Sequence, residues 1–310
     1  MHLTLSVLFA VLFYTIDGLS GSGFSFSAGQ HRALIHYKTY HNLIILPVKL
    51  NNNLDVNLIL DTGSHSIVLF GEKFKGLSDA TSIRNISFRG RGADGAVKAS
   101  LLLMEAVDFG AIHGEGLGVV VVSSRRLMPE SSKIDGLIGY DLFSYFVVEI
   151  NYRDKTIQLF DKLMPGYTDN FESIPMDLDS GRPHIVSQLG LRNNETKATR
   201  LLVDTGSSLS LAFFSNNKKG YDALKSDSVQ CIALSGYIFG VPVKVKQLSV
   251  GRLKIHHPVA HFVWIRKSQD ALPESASLGG GFLRKYVVIF DNSSATFYVR
   301  KNTARGHSSY

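Results

Sequence analysis

Aspartate recurs in one repeated context. Leu60-Asp61-Thr62-Gly63-Ser64 returns 143 residues later as Val203-Asp204-Thr205-Gly206-Ser207. A carboxylate delivered twice in the same setting is the raw material of general acid–base chemistry. Other reactive types offer less. His256, His257 and His261 lie close together but lack nearby carboxylates and any standard metal-ligand spacing. Gly114-Glu115-Gly116-Leu117-Gly118 lacks the Lys and the following helix of a phosphate loop, so it reads as a hairpin turn. Cys231, the single cysteine, cannot form an intramolecular disulfide and reads as a small buried hydrophobe. No metal or cofactor is expected.

The elements that deliver the aspartates are strands. Leu54, Val56, Leu58 and Leu60 alternate with Asp55, Asn57 and Ile59, so Asp61 ends a strand with Ile59 on its outer face. An apolar run from Leu43 to Leu50 precedes it across Asn51-Asn52-Asn53, residues that tolerate left-handed turns. The second half matches, with Ile185 to Leu191, a polar turn, and Thr199 to Val203 leading into Asp204. A second landmark repeats as well. Leu137-Ile138-Gly139 with Tyr145-Phe146-Val147-Val148 corresponds to Ser277-Leu278-Gly279 with Lys285-Tyr286-Val287-Val288, at an offset of 140. Two landmarks in one order at nearly one spacing mark two homologous halves. Helix is expected only in short pieces, the best being Tyr140 to Tyr145 and Gly281 to Lys285. Asp161 to Pro183, rich in Pro and Gly, reads as the connection between halves.

Two Asp-Thr-Gly-Ser loops, each followed after 78 or 75 residues by an apolar pair and Gly, resemble the aspartic proteases. The phrase from Asp135 to Phe143, continuing through Phe146-Val147-Val148-Glu149-Ile150-Asn151-Tyr152, is similar to the bacterial retropepsin-like type. The resemblance spans roughly residues 43 to 300. It implies an all-β, bilobal fold of two related β-barrel-like lobes with the active-site cleft between them. Asp61 and Asp204 would face each other there, share one proton and activate a water against an extended polypeptide substrate, without metal or cofactor. Thr62 and Thr205 would bond across the lobes, and Gly63 and Gly206 would allow close approach. Ser64 and Ser207 would orient the carboxylates, while Gly139 and Gly279 would pack beneath them. Substrate flaps are expected at Gly90 and Gly92 in one half and at Gly236 and Tyr237 in the other. The triplet Gly279-Gly280-Gly281 in place of Gly139-Tyr140-Asp141 is a departure expected to loosen the support of Asp204. The alternative from another class is a catalytically silent binding or inhibitor module, which has no reason to retain both Asp-Thr-Gly-Ser loops.

The expected organisation is a signal peptide over 1–20, a leader over 21–42, lobes over 43–165 and 166–301, and a tail over 302–310. The signal reading rests on the apolar run Leu3 to Tyr14, too short for a free membrane span, followed by small residues. Secretion or a periplasmic location follows from it. The leader carries His31, Arg32, His36, Lys38 and His41, a basic cluster that could cover an acidic cleft, the alternative being a solvated leader or an added edge strand. The basic residues behind the net charge of +7 are scattered singly and in pairs rather than gathered into a stripe, which argues against nucleic acid as a partner. Both aspartate loops lie on one chain, so a monomer is expected.

Overall fold

The computed structural model describes residues 23–77, 84–89, 96–122, 132–190, 195–215, 229–233, 236–264 and 276–302. The expected signal peptide and most of the tail lie outside them, as do Gly90 and Gly92. Among the described residues no helix is long and apolar enough to cross a membrane.

Strands dominate, and the repeated sequence builds two related barrels. The first runs Ile112–Val122, Ile67–Phe70, Gly136–Ile138, Leu54–Leu60, Leu43–Leu50 and Ala96–Asp108, and closes by pairing the last with the first. In the second, Val259–Trp264, Leu211–Ser215, Ala276–Gly279, Thr196–Asp204 and Arg182–Gly190 follow the same order and senses. There Gln247–Val250 pairs with both Arg182–Gly190 and Leu253–His256. Closure of the first barrel pairs both sides of its six strands, which protects edges that would otherwise invite aggregation.

The alternation before Asp61 holds on one face: Val56, Leu58 and Leu60 enter the barrel core beside Leu46, Ile67 and Ile138. Ile59 departs from expectation. Instead of facing solvent it is fully buried, because Leu43, Ile45, Val68, Phe70 and Leu137 form a second apolar layer on that side. Asn51 and Asn52 adopt the left-handed conformation expected of them, with φ of 45° and 61°. Among the described residues the α-helices are single turns at Tyr140–Phe143 and Gly280–Leu283, and a 3-10 helix at Glu72–Leu77 lies outside the two pieces marked from sequence.

A six-stranded antiparallel sheet bridges the barrels, in the order Arg32–His36, Thr156–Phe160, Val147–Asn151, Tyr286–Asp291, Thr296–Lys301 and Glu172–Asp179. At its centre the repeated phrase pairs with its own counterpart. Val148 faces Phe290 and Ile150 faces Val288, a register that maps onto itself when the halves are exchanged. Two regions read otherwise from sequence belong to this framework. The connection from Asp161 to Pro183 contains the strand Glu172–Asp179, which pairs on both sides. The segment set apart as a leader supplies Gly23–Phe26 to the first barrel, Arg32–His36 to the bridging sheet and Lys38–Tyr40 to a hairpin. Ala33, Ile35 and Tyr37 are buried there, so these residues are part of the core rather than a detachable cover.

Candidate active site

Each aspartate sits where a strand runs out beside a parallel neighbour. Asp61 N–H donates to Ile138 O at 2.8 Å, just past the pairing of Leu60 with Ile138, and Asp204 pairs with Gly279 in the matching position. The following residue turns the chain away, with Ser64 N–H bonding Asp61 O and Ser207 N–H bonding Asp204 O at 3.0 and 3.3 Å. Both aspartates are essentially inaccessible.

The two loops clasp each other through their threonines. Thr62 N–H donates to Thr205 Oγ1 and Thr205 N–H to Thr62 Oγ1, each at 3.0 Å. The hydroxyls then donate onward across the lobes, Thr62 Oγ1 to Val203 O at 2.5 Å and Thr205 Oγ1 to Leu60 O at 2.8 Å. Every polar atom of this clasp is buried and spent, so the loops hold one relative position. Gly206 is required by the approach this creates: a Cβ there would stand 2.2 Å from Asp61 Cγ. Gly63 N–H donates to Asp61 Oδ1 at 2.8 Å, and a Cβ on Gly63 would lie 3.6 Å from Asp204 Oδ1. Asp61 and Asp204 are thus brought together from residues 143 apart in the chain.

Support from below follows the expected glycines. A Cβ on Gly139 would fall 2.2 Å from Asp61 O, and one on Gly279 would fall 2.4 Å from Leu209 O. The serines differ from expectation. Ser64 Oγ donates to Ser66 O at 2.8 Å, bracing its own loop rather than orienting a carboxylate. Ser207 is buried, and its hydroxyl has no hydrogen-bond partner among the described residues.

The glycine triplet does not loosen the second loop. The hairpin turn at His41 and Asn42, with φ of 46° and 67°, reaches across to Gly280, where a Cβ would meet Asn42 O at 2.3 Å. Asn42 Nδ2 then donates to Ser208 O at 3.1 Å. The matching turn at Ser180 and Gly181, with φ of 55° and 75°, reaches the other way and meets the Tyr140 ring, 2.4 Å from a Cβ on Gly181. Large and small residues have exchanged sides, Asn42 with Gly280 and Gly181 with Tyr140, so both junctions are filled. On that second side the His65 ring lies 5.1 Å from Tyr140, and burial, with the Arg182 charge beside it, lowers the His65 pKa. Asn42, His65 and Arg182 were not singled out from sequence, since nothing local marks a residue that meets the opposite lobe.

Of the expected flap residues, Gly236 and Tyr237 lie on the strand Gly236–Lys244, which forms a hairpin with Val229–Ala233. In the first half Arg84–Arg89 and Ala96–Asp108 form the corresponding hairpin around residues 90–95. Among the described residues no group of three or more His, Cys, Asp or Glu could hold a metal ion.

Asp141, one residue beyond Tyr140, is a buried carboxyl with a pKa raised from 3.8 to about 7 by desolvation, opposed by hydrogen bonds from the Ile67 and Asp141 main chains. A raised carboxyl pKa favours folding while the group stays neutral, and that contribution is lost as pH rises from about 4 through 7. Asp141→Asn keeps an acceptor for those N–H groups without the charge. The variant should melt with the parent near pH 4 and several degrees above it at pH 8, measured by thermal unfolding. An equal difference at both pH values would show that Asp141 does not titrate across this range.

A family model described as aspartyl protease matches residues 46–142, which carry the first aspartate loop and its supporting glycine. Among solved structures, the crystal structure of aspartic proteinase from Irpex lacteus is similar with a TM-score of 0.58. The likeness covers 90% of this chain and 100% of that one at 12% identity, and is therefore one of fold. Among curated proteins none matches. Residues 46–142 thus match the aspartyl protease family model, and the chain as a whole shares the two-lobed fold of a solved aspartic proteinase.

Proposed function

We propose that the protein is an aspartic endopeptidase that hydrolyses extended polypeptides with Asp61 and Asp204 as its catalytic pair. The observation that carries this reading is the reciprocal clasp of Thr62 and Thr205, which holds Asp61 against Gly206 of the opposite loop. Two carboxyls held so closely cannot both ionise cheaply, so one proton is shared, the behaviour for which aspartic proteases are the standard example. The ionised partner takes a proton from a bound water, which attacks the scissile carbonyl. The protonated partner hydrogen-bonds the oxygen as negative charge develops on it. Proton transfer to the amine then releases both products and restores the shared-proton state. The hairpins around residues 90–95 and 234–235 are the proposed covers over the substrate, and export through an amino-terminal signal is the proposed route to the envelope or the medium.

The direct test is incubation of the full chain with a mixed peptide library, with and without pepstatin. Discrete internal cuts that pepstatin suppresses are expected. Binding of pepstatin with no cleavage between pH 3 and 8 would favour a silent binding module instead.

Both loops come from one chain, so the enzyme is proposed to act as a monomer. Mixing Asp61→Asn with Asp204→Asn should therefore stay inactive, and wild-type specific activity should be constant on dilution to the nanomolar range. Recovered activity in the mixture would reveal halves swapped between two chains.

A further inference from the structure

The first lobe carries a group of residues that peptide hydrolysis does not use. Ser27 follows the strand Gly23–Phe26, Asp108 ends the strand Ala96–Asp108, and His113 lies near the start of Ile112–Val122. Ser27 Oγ is 2.9 Å from His113 Nε2, and His113 Nδ1 is 2.5 Å from Asp108 Oδ2. With Nδ1–H given to the carboxylate, Nε2 is left as the acceptor facing the hydroxyl, the arrangement of a nucleophile, its base and the acid that orients the base. The order of atoms is that of a Ser-His-Asp triad, whose identity rests on geometry rather than on fold or chain order.

The supports are as built as the contacts themselves. Asp108 Oδ1 accepts from Gly110 N–H at 2.6 Å, and Phe109 N–H donates to Ile112 O at 3.1 Å, fixing the acid in a tight turn. Ser27 N–H donates to Ala111 O at 3.0 Å, tying the nucleophile to the same turn. Ser27 Oγ also lies 3.2 Å from Ala111 O, a longer alternative acceptor for its proton. The His113 side chain is 45% exposed, so a substrate can reach it. A cavity of about 920 Å³ has Gly29 and Ala111 in its lining, two residues along the chain from Ser27 and His113 respectively. Ala33, Leu34, Phe160 and Met164 give it an apolar lining of a size that accepts an acyl chain.

We propose that Ser27, His113 and Asp108 form a second hydrolytic site, acting on esters of apolar carboxylic acids. Ser27 Oγ bonds to the ester carbonyl carbon while its proton passes to His113 Nε2 and the carbonyl electron pair moves onto oxygen. The main-chain N–H groups of Ala28 and Gly29, next along the turn, are the nearest donors in sequence for that oxygen. Collapse breaks the bond to the alcohol, which leaves with the proton held by His113. Water then repeats the sequence at the acyl-Ser27, releasing the carboxylic acid and the free hydroxyl.

The test uses the full chain carrying Asp61→Asn and Asp204→Asn, so that turnover at the two aspartates cannot contribute. p-Nitrophenyl butyrate and octanoate are the substrates, and free imidazole at equal concentration is the reference. Turnover above imidazole is expected, with a lower KM for octanoate. Ser27→Ala and His113→Ala should each lower kcat/KM by about a hundredfold or more, and Asp108→Asn should lower kcat. A fluorophosphonate probe should label Ser27 in the chain with its triad intact, located by peptide mass mapping, which keeps the proposal testable if Ser27→Ala fails to fold. Turnover no faster than imidazole, turnover unchanged by Ser27→Ala, or the absence of label at Ser27 would overturn it.

Discussion

Replacing either Asp61 or Asp204 by Asn is expected to remove peptide cleavage while leaving the fold in place. The proposed mechanism divides its work between two carboxyls, one taking a proton from water and the other giving a hydrogen bond to the oxyanion. An amide can do neither in the same way, so kcat should fall by about a thousandfold or more with little change in KM. Folding should survive because the loop is held by main-chain bonds, Asp61 N–H to Ile138 O and Ser64 N–H to Asp61 O, that the substitution does not touch. Thermal unfolding should even rise slightly, since one of two adjoining acids has been removed. Peptide cleavage by either single variant at a rate near that of the parent would end the paired-carboxyl reading.

Thr205→Val is expected to destabilise the fold far more than either aspartate substitution. Valine keeps the shape but removes the acceptor of Thr62 N–H and the donor to Leu60 O, both buried in the clasp. Stranding two buried polar groups costs on the order of 2 to 4 kcal/mol in total, enough to lower the melting temperature by several degrees for a chain of this size. Activity should fall with it, because the clasp sets the distance between the loops. The reciprocal variant Thr62→Val strands Thr205 N–H and Val203 O in the same way. Once one threonine is gone the clasp is already broken, so the double variant should cost less than the sum of the singles by about 1 kcal/mol or more. Strict additivity, measured by denaturant unfolding of all four proteins, would mean that the threonines act independently.

Both outcomes depend on features legible in one dimension. Asp61-Thr62-Gly63-Ser64 and Asp204-Thr205-Gly206-Ser207 announce themselves by repetition, and alternation of apolar residues locates the strands that deliver them. Gly139 and Gly279 are visible for the same reason, being part of the second repeated landmark. A repeat needs no knowledge of contacts, which is why fold class and the two aspartates can be read from the order of residues alone.

The chain by itself therefore determined two related β halves, one Asp-Thr-Gly-Ser loop in each, and the glycines beneath them, because local periodicity and repetition encode all three. Only the tertiary structure decided how the halves meet. The exchange of Asn42 against Gly280 for Gly181 against Tyr140 looks from sequence like damage to one repeat. It is a steric trade between residues more than forty apart or in opposite lobes, and no local pattern carries it. The same holds for Ile59, buried by a second apolar layer from other strands, and for Arg32–His36, whose alternating burial fits an edge strand but names no partner sheet. Ser27, Asp108 and His113 are single polar residues in unremarkable contexts, and the hairpin from Asp108 to Ile112 joins them only when the barrel closes. Pair contacts across long chain separations depend on how elements pack, a property of the folded whole that propensity and spacing do not record.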